Sequence, residues 1–390
     1  MSKEKFSVKS SLKDSVNTVK FLTERNKFIN SSAAVIPPST KNLGVNKVAA
    51  SLHPKKQELI ITAVEEHGAV AKSYYFKSKD KPLAYFRAGQ YLTFRLEIGN
   101  AIVTRSYSIA SAPSSALKGE YQITVKRIAD GFVSDYILDN WAVGVEVTAY
   151  APEGNMVYEP LRDAESIIAI AGGSGITPFL SMARAIDDGT EDCALTLIYG
   201  CRNSAEIIFK NELDDIAQRN KKFNVVYVLS DSDEDGYEKG FIGADTITKY
   251  APESKFSIFV CGPGGLYKHL DAELPKLEIE KKYIRFEVFS SGKKPDANPE
   301  NYNIKVINKG TVTEIVGNSN ETVLCAFERA GIEVPARCHT GECGFCRSKL
   351  IDGKIYIPEG EDKRRIADVT FGYIHPCCSY PESDLTVKIN

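Results

Sequence analysis

Several features that mark other protein classes are scarce in this sequence. Among its 390 residues, no run approaches the ~18 consecutive apolar residues of a membrane-spanning helix. The formal net charge is only −2, which gives no global attraction for nucleic acid, and the five histidines share no spacing. No nucleophile stands with a base in a pattern typical of a hydrolase. These shortages argue against a membrane span, a nucleic-acid partner and nucleophilic catalysis.

The N-terminal segment has no apolar core after its first lysines, so it does not resemble a secretory signal. Residues 1–56 contain ten lysines and one arginine against three acidic residues, a net charge of about +8, whereas the rest of the chain carries about −10. One helical face would gather Leu12, Val16, Val19, Leu22 and Ile29. This extension is either a docked or frayed basic arm or a surface that recruits an acidic partner.

What the sequence does contain is a distinctive group of cysteines. Cys338, Cys343 and Cys346 stand in the spacing C-x4-C-x2-C, which is the plant-type spacing for a 2Fe–2S cluster. Such a cluster needs a fourth thiolate from further along the chain, and Cys377 and Cys378 follow. A structural zinc site usually shows two C-x2-C pairs, so the spacing favours iron.

The segment around these cysteines resembles a plant-type ferredoxin domain. Residues 321–324 and 330–332 resemble the helix before the cluster loop, and residues 377–384 resemble the closing motif. In that motif the ligand stands four residues before the proline, which implies Cys377 as the fourth iron ligand and Cys378 facing away. The resemblance implies an α+β, β-grasp fold for the last quarter of the chain.

The cysteine content also bears on the compartment. Nine cysteines, at least four of them assigned to a cluster, indicate a reducing environment, and we expect the protein in the cytoplasm. His339 lies inside the cluster loop. Because four cysteines are available, we expect this histidine to be solvated or bonded to backbone rather than to iron.

A first folded region, at residues 57–160, has the pattern of short β-strands. Alternating or β-branched segments occur at residues 58–64, 91–97, 121–127 and 145–150, with one short helical stretch at 133–140. Short strands with little helix predict a small antiparallel barrel.

In a second region, at residues 161–290, strands alternate with helices. Apolar runs lie at residues 167–171, 195–199, 225–229, 256–261 and 284–289, and helical stretches lie at 179–186 and 205–218. This alternation predicts a parallel, doubly wound sheet. Residues 291–301 are predicted to be a linker to the ferredoxin domain at 302–390.

The barrel region carries the motif Arg105-Ser106-Tyr107-Ser108. An arginine there can neutralise a flavin phosphate, a tyrosine ring can lie on an isoalloxazine, and a serine can bond its reactive edge. By itself the motif is short, and a strand with a core tyrosine explains it equally well. Further on, Lys126 precedes the segment Gly131–Ser134, where amides at a helix start can bind a second phosphate.

The first strand of the second region leads into Gly172-Gly173-Ser174-Gly175-Ile176-Thr177-Pro178. Glycines let a dinucleotide pyrophosphate approach a helix N-terminus, and at that position the missing amide of proline costs nothing. Pro178 replaces the third glycine of the ordinary dinucleotide fingerprint. The strand before the loop and the helix after it favour a nucleotide site over a mere tight turn.

Two further motifs end strands of the second region. Cys261-Gly262-Pro263 lies at the carboxyl edge of a parallel sheet, where ligands bind, although a buried thiol is the alternative. Ser230 is followed by four acidic residues within five positions, which would repel a 2′-phosphate. Arg202 or Lys239 could still reach such a phosphate.

Together these motifs resemble the ferredoxin–NADP reductase family, and the chain from about residue 57 resembles the reductase components of oxygenase systems. The resemblance implies a flavin site made of Arg105, Tyr107, Ser108, Lys126, Gly131, Val133, Ser134 and Phe289. It implies a nicotinamide nucleotide site made of Gly173, Gly175, Thr177, Pro178, Arg202, Ser230, Cys261, Gly262 and Pro263. Ser108, Cys261 and Glu287 would act at the hydride-transfer position.

The implied function is an NAD(P)H-dependent flavin and iron–sulfur reductase. Hydride would pass from NADH to flavin, and single electrons would leave through the 2Fe–2S cluster to a partner protein, an oxygenase or another one-electron acceptor. The second phosphate segment favours FAD over FMN, and the acidic loop favours NADH over NADPH. A terminal reductase acting on a small molecule remains an alternative, as does an electron carrier with a degenerate flavin domain, although the intact motifs argue against the carrier.

Overall fold

A computed structural model describes residues 11–32, 43–69, 71–128, 131–289 and 297–389. Most of the predicted linker, residues 291–296, therefore lies outside the described residues. Residues Met1–Ser51 and Leu52–Asn390 form two separate compact units. In the first unit, helix α1 (Leu12–Ser32) is followed by α2 (Gly44–Leu52), and apolar side chains such as Leu12 and Val19 are exposed. None of the helices in the described ranges is long and apolar enough to cross a bilayer.

The first sheet of the larger unit is a six-stranded antiparallel barrel. Its strands are β1 (Gln57–His67), β2 (Ala71–Ser78), β3 (Tyr91–Ile98), β4 (Ala101–Ser108), β5 (Tyr121–Lys126) and β6 (Glu146–Ala149), in the order β4-β3-β6-β1-β2-β5. A bridge between Ile109 and Ile123 joins the two ends of this order. Helices α3 (Pro113–Leu117) and α4 (Phe132–Asn140) complete the region, and Trp141 packs edge-on against Phe76 and Phe94 in its core.

The second sheet is six-stranded and wholly parallel. Its strands are β7 (Ser166–Gly172), β8 (Ala194–Cys201), β9 (Phe223–Leu229), β10 (Glu238–Lys239), β11 (Phe256–Cys261) and β12 (Ile284–Glu287), in the order β10-β9-β8-β7-β11-β12. Its helices are α5 (Thr177–Asp187), α6 (Lys210–Arg219), α7 (Ala244–Tyr250) and α8 (Gly264–Glu273). The direction of winding reverses between β7 and β11, so a crevice for ligands forms where these two strands end.

Side chains of the parallel strands alternate between two cores. Ile167 and Ala169 face one apolar cluster, whereas Ile168 and Ile170 face the other, and all four are essentially inaccessible to solvent. Strands buried on both faces appear in the sequence as continuous apolar runs, which is why they were predictable.

The C-terminal region has a mixed five-stranded sheet. Its elements are β13 (Asn301–Asn308), β14 (Thr311–Asn318), α9 (Val323–Arg329), β15 (Ser348–Asp352), β16 (Ile355–Tyr356), α10 (Ile366–Thr370), β17 (Tyr373–Ile374), β18 (Tyr380–Pro381) and β19 (Leu385–Ile389). The order is β14-β13-β19-β15-β17, with β13 parallel to β19, while β16 and β18 form a separate pair. The predicted fold class, an antiparallel barrel followed by a parallel α/β sheet and an α+β domain, is confirmed.

Candidate functional site

Four cysteine side chains converge at the cluster loop, defined here as residues 337–347. Cys346 Sγ lies 3.4 Å from Cys377 Sγ, and the side chains of Cys343 and Cys338 are joined by a hydrogen bond. In the described ranges, no group of three or more His, Cys, Asp or Glu side chains is already arranged to hold a metal ion. The chemistry of the donor set, four thiol side chains of which three belong to one loop, fits a 2Fe–2S cluster.

Backbone amides of the cluster loop point at these sulfurs. Thr340 N and Cys343 N each donate to Cys338 Sγ over 3.4 Å, and Gly341 N donates to Cys377 Sγ over 3.3 Å. The Cys343 thiol, joined by the Cys377 thiol and these amides, lowers the pKa of Cys338 below its usual range. Donors that favour the thiolate suit a sulfur that must bind iron.

The two adjacent cysteines have different surroundings. Cys378 is completely buried, and its Sγ donates to the carbonyl of His375 over 3.4 Å. Cys377 is the one whose sulfur lies beside Cys346. The geometry therefore groups Cys377 with the three cysteines of the loop and leaves Cys378 packed behind Gly341.

A cavity of about 710 Å³ lies where the barrel, the parallel sheet and the cluster loop meet. Tyr91 and Met156 line it from the barrel, Glu287 and Phe289 from the end of β12, and Cys338 and Cys343 from the cluster loop. The rings of Tyr91 and Phe289 meet edge-to-face with centroids 6.1 Å apart. Sequence analysis did not single out Tyr91, although it directly follows the glycine and glutamine that precede β3.

Ser108 and Glu287 meet on a wall of this cavity. Ser108 Oγ donates to Glu287 Oε2 over 3.3 Å, although the two residues are far apart in sequence. Burial raises the pKa of Glu287 to about 8, which the serine hydroxyl only partly opposes. Cys261 is also buried, and desolvation raises the pKa of its thiol well above the ordinary value. These three residues were predicted for the hydride-transfer position. With both pKa values raised, the Cys261 thiol and most of the Glu287 carboxyl are uncharged at pH 7, as is the Ser108 hydroxyl.

Arg105 has a partner that sequence analysis missed. Its Nη1 donates to Glu328 Oε2 over 3.1 Å, and Glu328 also accepts the amide of Thr104 over 3.1 Å. Glu328 is 5% exposed and lies on α9 of the ferredoxin region. Its spacing of four residues from buried Leu324 places it on the apolar face of that helix, a signal that could have identified it.

Polar contacts extend from Arg105 along β4 to the cluster loop. Thr104 Oγ1 lies 3.0 Å from His339 Nε2, and Ser106 Oγ donates to the carbonyl of Arg337 over 2.9 Å. Arg337 itself pairs with Glu153 of the barrel region. The expectation for His339 was incomplete, because its partner is a side chain of the barrel. We call these contacts the β4 seam.

Tyr107 lies at the edge of the barrel core. Its ring is packed against the core cluster that contains Phe94, with centroids 6.3 Å apart, and burial raises its pKa. The position of Tyr107 fits both explanations of the motif, a core tyrosine and a tyrosine that contacts flavin. The ring is half-buried in the barrel core, and its strand, β4, also forms the β4 seam.

The glycine loop after β7 is placed as predicted, at the carboxyl edge of the parallel sheet. A Cβ on Gly175 would stand 2.1 Å from the carbonyl of Cys261, so only glycine fits there. Residues Gly173–Ile176 form a short 3₁₀ turn, Thr177 Oγ1 donates to the carbonyl of Ser174 over 3.2 Å, and Pro178 sits in the first turn of α5. Gly262 and Pro263 follow β11 directly beside this loop, where Pro263 precedes α8.

Lys126 and Arg202 share one carboxylate. Glu206 Oε2 accepts Lys126 Nζ over 3.2 Å, and Glu206 Oε1 lies 2.6 Å from Arg202 Nη2. Lys126 Nζ is also 3.7 Å from where a Cβ on Gly173 would stand. The structure therefore places Lys126 beside the glycine loop, whereas sequence analysis grouped it with the second flavin phosphate segment. Glu206 was missed altogether.

The other residues predicted to hold phosphate lie at the start of α4. Gly131 is the residue before the helix, and Val133 and Ser134 are buried in its first turn. Arg127 does not join them, since it pairs with Asp135 and Asp139 on the same helix. At the far edge of the sheet, Ser230 donates to Asp231 over 2.6 Å within the acidic loop.

Three family models match successive parts of the chain. The oxidoreductase FAD-binding domain matches residues 59–158, the oxidoreductase NAD-binding domain matches 169–272, and the 2Fe-2S iron-sulfur cluster binding domain matches 306–382. Phthalate dioxygenase reductase has a similar fold, with a TM-score of 0.66, 24% identity and coverage of 86% of this chain and 98% of that chain.

Curated relatives match over most of their length. The ferredoxin reductase component of 3-ketosteroid-9-alpha-monooxygenase from Mycobacterium tuberculosis is 30% identical over 316 residues, which is 77% of this chain and 84% of the relative. The glycine betaine monooxygenase reductase subunit from Chromohalobacter salexigens is 28% identical over 342 residues, which is 81% of this chain and 91% of the relative.

The chain belongs to the flavin- and NAD-dependent reductases that carry a C-terminal 2Fe–2S ferredoxin domain. It is an NAD(P)H-dependent oxidoreductase of the ferredoxin-reductase type, and its cofactors are FAD, a nicotinamide adenine dinucleotide and a 2Fe–2S cluster.

Proposed function

We propose that this protein takes hydride from NADH and delivers single electrons through its cluster to an oxygenase. The observation that carries the proposal is the cavity whose walls come from the barrel, the parallel sheet and the cluster loop together. Nicotinamide supplies two electrons as hydride, flavin can release such a pair singly, and a 2Fe–2S cluster carries one electron at a time. An oxygenase is proposed as the acceptor because the similar relatives are named as reductase components of monooxygenases.

The residues proposed to contact the flavin ring lie on β4, at the end of β12 and just after β12. Ser108 and Glu287 would bond and tune the reactive edge of the ring, while Tyr107 and Phe289 would border its faces. A protonated Glu287 places no negative charge beside a ring that is gaining electrons, so burial of this carboxyl favours reduction.

The phosphates of FAD require separate donors. The amides at Gly131–Ser134 begin a nine-residue helix, which gives them the positive end of its dipole. Arg105 has five N–H donors in a fixed plane, so it can retain Glu328 and still present donors to a phosphate. We therefore keep Arg105 in the flavin site and add Glu328 as its anchor.

The nicotinamide nucleotide would occupy the crevice between β7 and β11. Gly173 would leave room for the pyrophosphate at the start of α5, where Pro178 lies in the first turn, and Gly175 lets the loop pack against the end of β11. Lys126, beside Gly173, would meet the charge of the pyrophosphate. Thr177 and the uncharged thiol of Cys261, with Gly262 and Pro263 beside them, would position the nicotinamide.

A preference for NADH follows from how the cations at the sheet edge are paired. Arg202 is held by Glu206 over 2.6 Å, and Lys239 is held by Asp233 over 2.6 Å. Asp231, next to Ser230, adds a further carboxylate. Because each of these cations is already neutralised by a carboxylate, this edge offers a 2′-phosphate little net positive charge, whereas a ribose hydroxyl can donate to the carboxylates.

The proposal is tested by removing the cluster while keeping the flavin. For Cys377→Ser we expect NADH-driven reduction of ferricyanide to remain, because this acceptor can take electrons directly from flavin. Reduction of cytochrome c, standing in for a one-electron protein acceptor, should fall at least about tenfold, roughly 1.4 kcal/mol of barrier. Wild-type cytochrome c reduction by this variant would show that electrons leave from the flavin without passing through the cluster, which would contradict the proposal.

We also propose a cytoplasmic location. All nine cysteines lie in the described ranges, and none of them forms a disulfide there. Thiols maintained in this state are typical of a reducing compartment.

A further inference from the structure

His375 occupies an unusual position, two residues before the cysteine that joins the cluster loop. Its side chain is 2% exposed, and its Nδ1 lies 2.7 Å from the carbonyl oxygen of Gly341. A carbonyl oxygen can only accept a hydrogen bond, so Nδ1 must carry the proton. The ring therefore donates to the cluster loop from behind.

Gly341 is held on two other sides as well. Its own amide donates to Cys377 Sγ over 3.3 Å, and its φ of +78° is a conformation that side chains disfavour. A Cβ on this residue would stand 2.9 Å from Cys378 Sγ. The direction of the Gly341 amide therefore depends on the groups that clamp this residue, and His375 supplies a side-chain hydrogen bond to its carbonyl.

The other ring nitrogen of His375, Nε2, makes no comparable hydrogen bond to the described residues. Nε2 is buried without a hydrogen-bond partner among the described residues, and it lies 3.7 Å from Asp368 Oδ2. Asp368 is itself bonded to Arg347 over 3.1 Å. A histidine that served only to fill the core would cost free energy through this unsatisfied nitrogen, so the Nδ1 contact must offset that cost.

We propose that His375 is a positioning residue for the 2Fe–2S cluster. It fixes Gly341 so that the Gly341 amide stays directed at Cys377 Sγ, and in this way it raises the reduction potential of the cluster. A hydrogen bond to a ligand sulfur stabilises the reduced cluster, which carries the greater negative charge, and such bonds are one of the factors that set cluster potentials. The inference rests on the cluster of the proposed function but not on the identity of its acceptor.

The experiment compares His375→Leu with His375→Asn in the holoprotein. Leucine removes the donor at a similar volume, whereas the asparagine amide nitrogen stands near the former Nδ1 and can donate again. The cluster midpoint potential would be measured by redox titration of its paramagnetic signal, with the flavin potential of the same sample as internal reference. For His375→Leu we expect a negative shift of at least threefold in the flavin–cluster equilibrium constant, about 28 mV at 59 mV per tenfold. For His375→Asn we expect a potential close to that of wild type.

His269→Leu is the matched control, because His269 is another histidine with a buried, unpartnered Nε2, in the parallel sheet region. It should leave the cluster potential unchanged. Equal shifts in His375→Leu and His375→Asn, or no shift in either, would overturn the proposal. If His375→Leu does not load a cluster, His375→Gln, whose amide reaches toward Nε2 instead, takes its place and must shift negatively while His375→Asn does not. Absence of any cluster signal in wild type would refute the proposed function, which keeps the two failures distinct.

Discussion

At the scale of single residues, two neighbouring cysteines show how strongly local geometry separates similar side chains. Cys377 Sγ faces Cys346 and accepts the amide of Gly341, whereas the Cys378 thiol donates to a backbone carbonyl. The sequence alone supported this assignment only through the resemblance of its closing motif. The structure adds the contacts that separate them: Cys377 Sγ lies beside Cys346, whereas Cys378 Sγ packs against Gly341. The segment at 376–378 is a turn rather than the extended chain expected, and the two thiols also hydrogen-bond to each other.

We expect Cys378→Ser to keep the cluster. A serine hydroxyl is slightly smaller than a thiol and can donate equally well to the carbonyl of His375, so the surroundings of Gly341 should persist. The visible spectrum and the paramagnetic signal of the reduced cluster should match wild type. Loss of both signals in Cys378→Ser, with retention in Cys377→Ser, would mean that the register of this segment is wrong.

Glu287 is expected to make flavin reduction pH-dependent. Its pKa of about 8 means that the carboxyl is mostly neutral at pH 7 and ionised above pH 9. Ionisation places a negative charge beside the site that receives hydride, so the rate of flavin reduction by NADH should fall as pH rises through about 8. Stopped-flow measurement between pH 6.5 and 9.5 would show this decline, and Glu287→Gln, which stays neutral, should be flat over the same range. A decline of equal size in both proteins would assign the dependence to another group.

Glu206 is expected to discriminate against NADPH. Its replacement by glutamine releases Arg202 from a 2.6 Å ion pair at the edge where a 2′-phosphate would lie. One new charge-assisted contact is worth about 1.5–3 kcal/mol; because the Arg202 side chain is 67% exposed, we take the lower end, so kcat/KM for NADPH should rise at least about tenfold relative to NADH. Asp214→Asn, which breaks a 2.6 Å pair with Lys210 on α6, is the matched control. An unchanged NADPH/NADH ratio in Glu206→Gln would remove Glu206 from the specificity site.

At the scale of elements, β4 serves two neighbours at once. It carries the flavin motif, and Thr104, Arg105 and Ser106 bond to α9 and to the cluster loop. Glu328 is the buried acceptor of this seam, and desolvation raises its pKa even though Arg105 opposes the shift.

We therefore expect Glu328→Gln to weaken the β4 seam. The neutral amide keeps one acceptor oxygen but loses the charge that holds the Arg105 guanidinium, at a cost of about 1.5–3 kcal/mol. The ferredoxin region should become less stable to heat, and electron transfer from flavin to cluster should slow in single-turnover experiments, while reduction of flavin by NADH changes little in the fraction of protein that retains FAD. Glu333→Gln is a useful comparison, because Glu333 pairs with Arg95 across the same two regions but is half exposed. Equal effects of the two substitutions would show that Glu328 has no special role.

Elements with strong sequence patterns were predictable, and those defined by contacts were not. The apolar run at 167–171 and the helix after the glycine loop correspond to β7 and α5. The helix predicted at 205–218 begins only at Lys210, because Phe209 adopts a φ of +64° and interrupts the turn before it. β4 was not predicted as a strand in its own right, since its polar residues face the seam rather than a solvent-exposed or apolar surface.

At the scale of the whole molecule, the order of regions in the chain was predictable but their contacts were not. The motifs predict the order of barrel, parallel sheet and ferredoxin in the chain. Arg105 and Glu328, however, are 223 residues apart, and no single motif contains both residues. Burial of an ion pair across two regions depends on how their surfaces meet, which a periodic pattern does not encode. For the same reason Glu206 and Arg337 emerged only from the structure.

Because β4 carries the flavin motif and also bonds to the ferredoxin region, it limits how regions can be exchanged between such reductases. A ferredoxin region transplanted from a relative would bring its own version of α9 and of the cluster loop. In this chain β4 donates hydrogen bonds to Glu328 and to the carbonyl of Arg337 in those two elements. If the transplanted region lacked an acidic residue at the position of Glu328, Arg105 or the Thr104 amide would be left without a hydrogen-bond acceptor in the interface between the two regions. In this chain the unit that can be exchanged is therefore not the ferredoxin region by itself but that region together with the β4 residues that bond to it, so protein engineers who want to redirect its electrons should replace Thr104, Arg105 and Ser106 along with it.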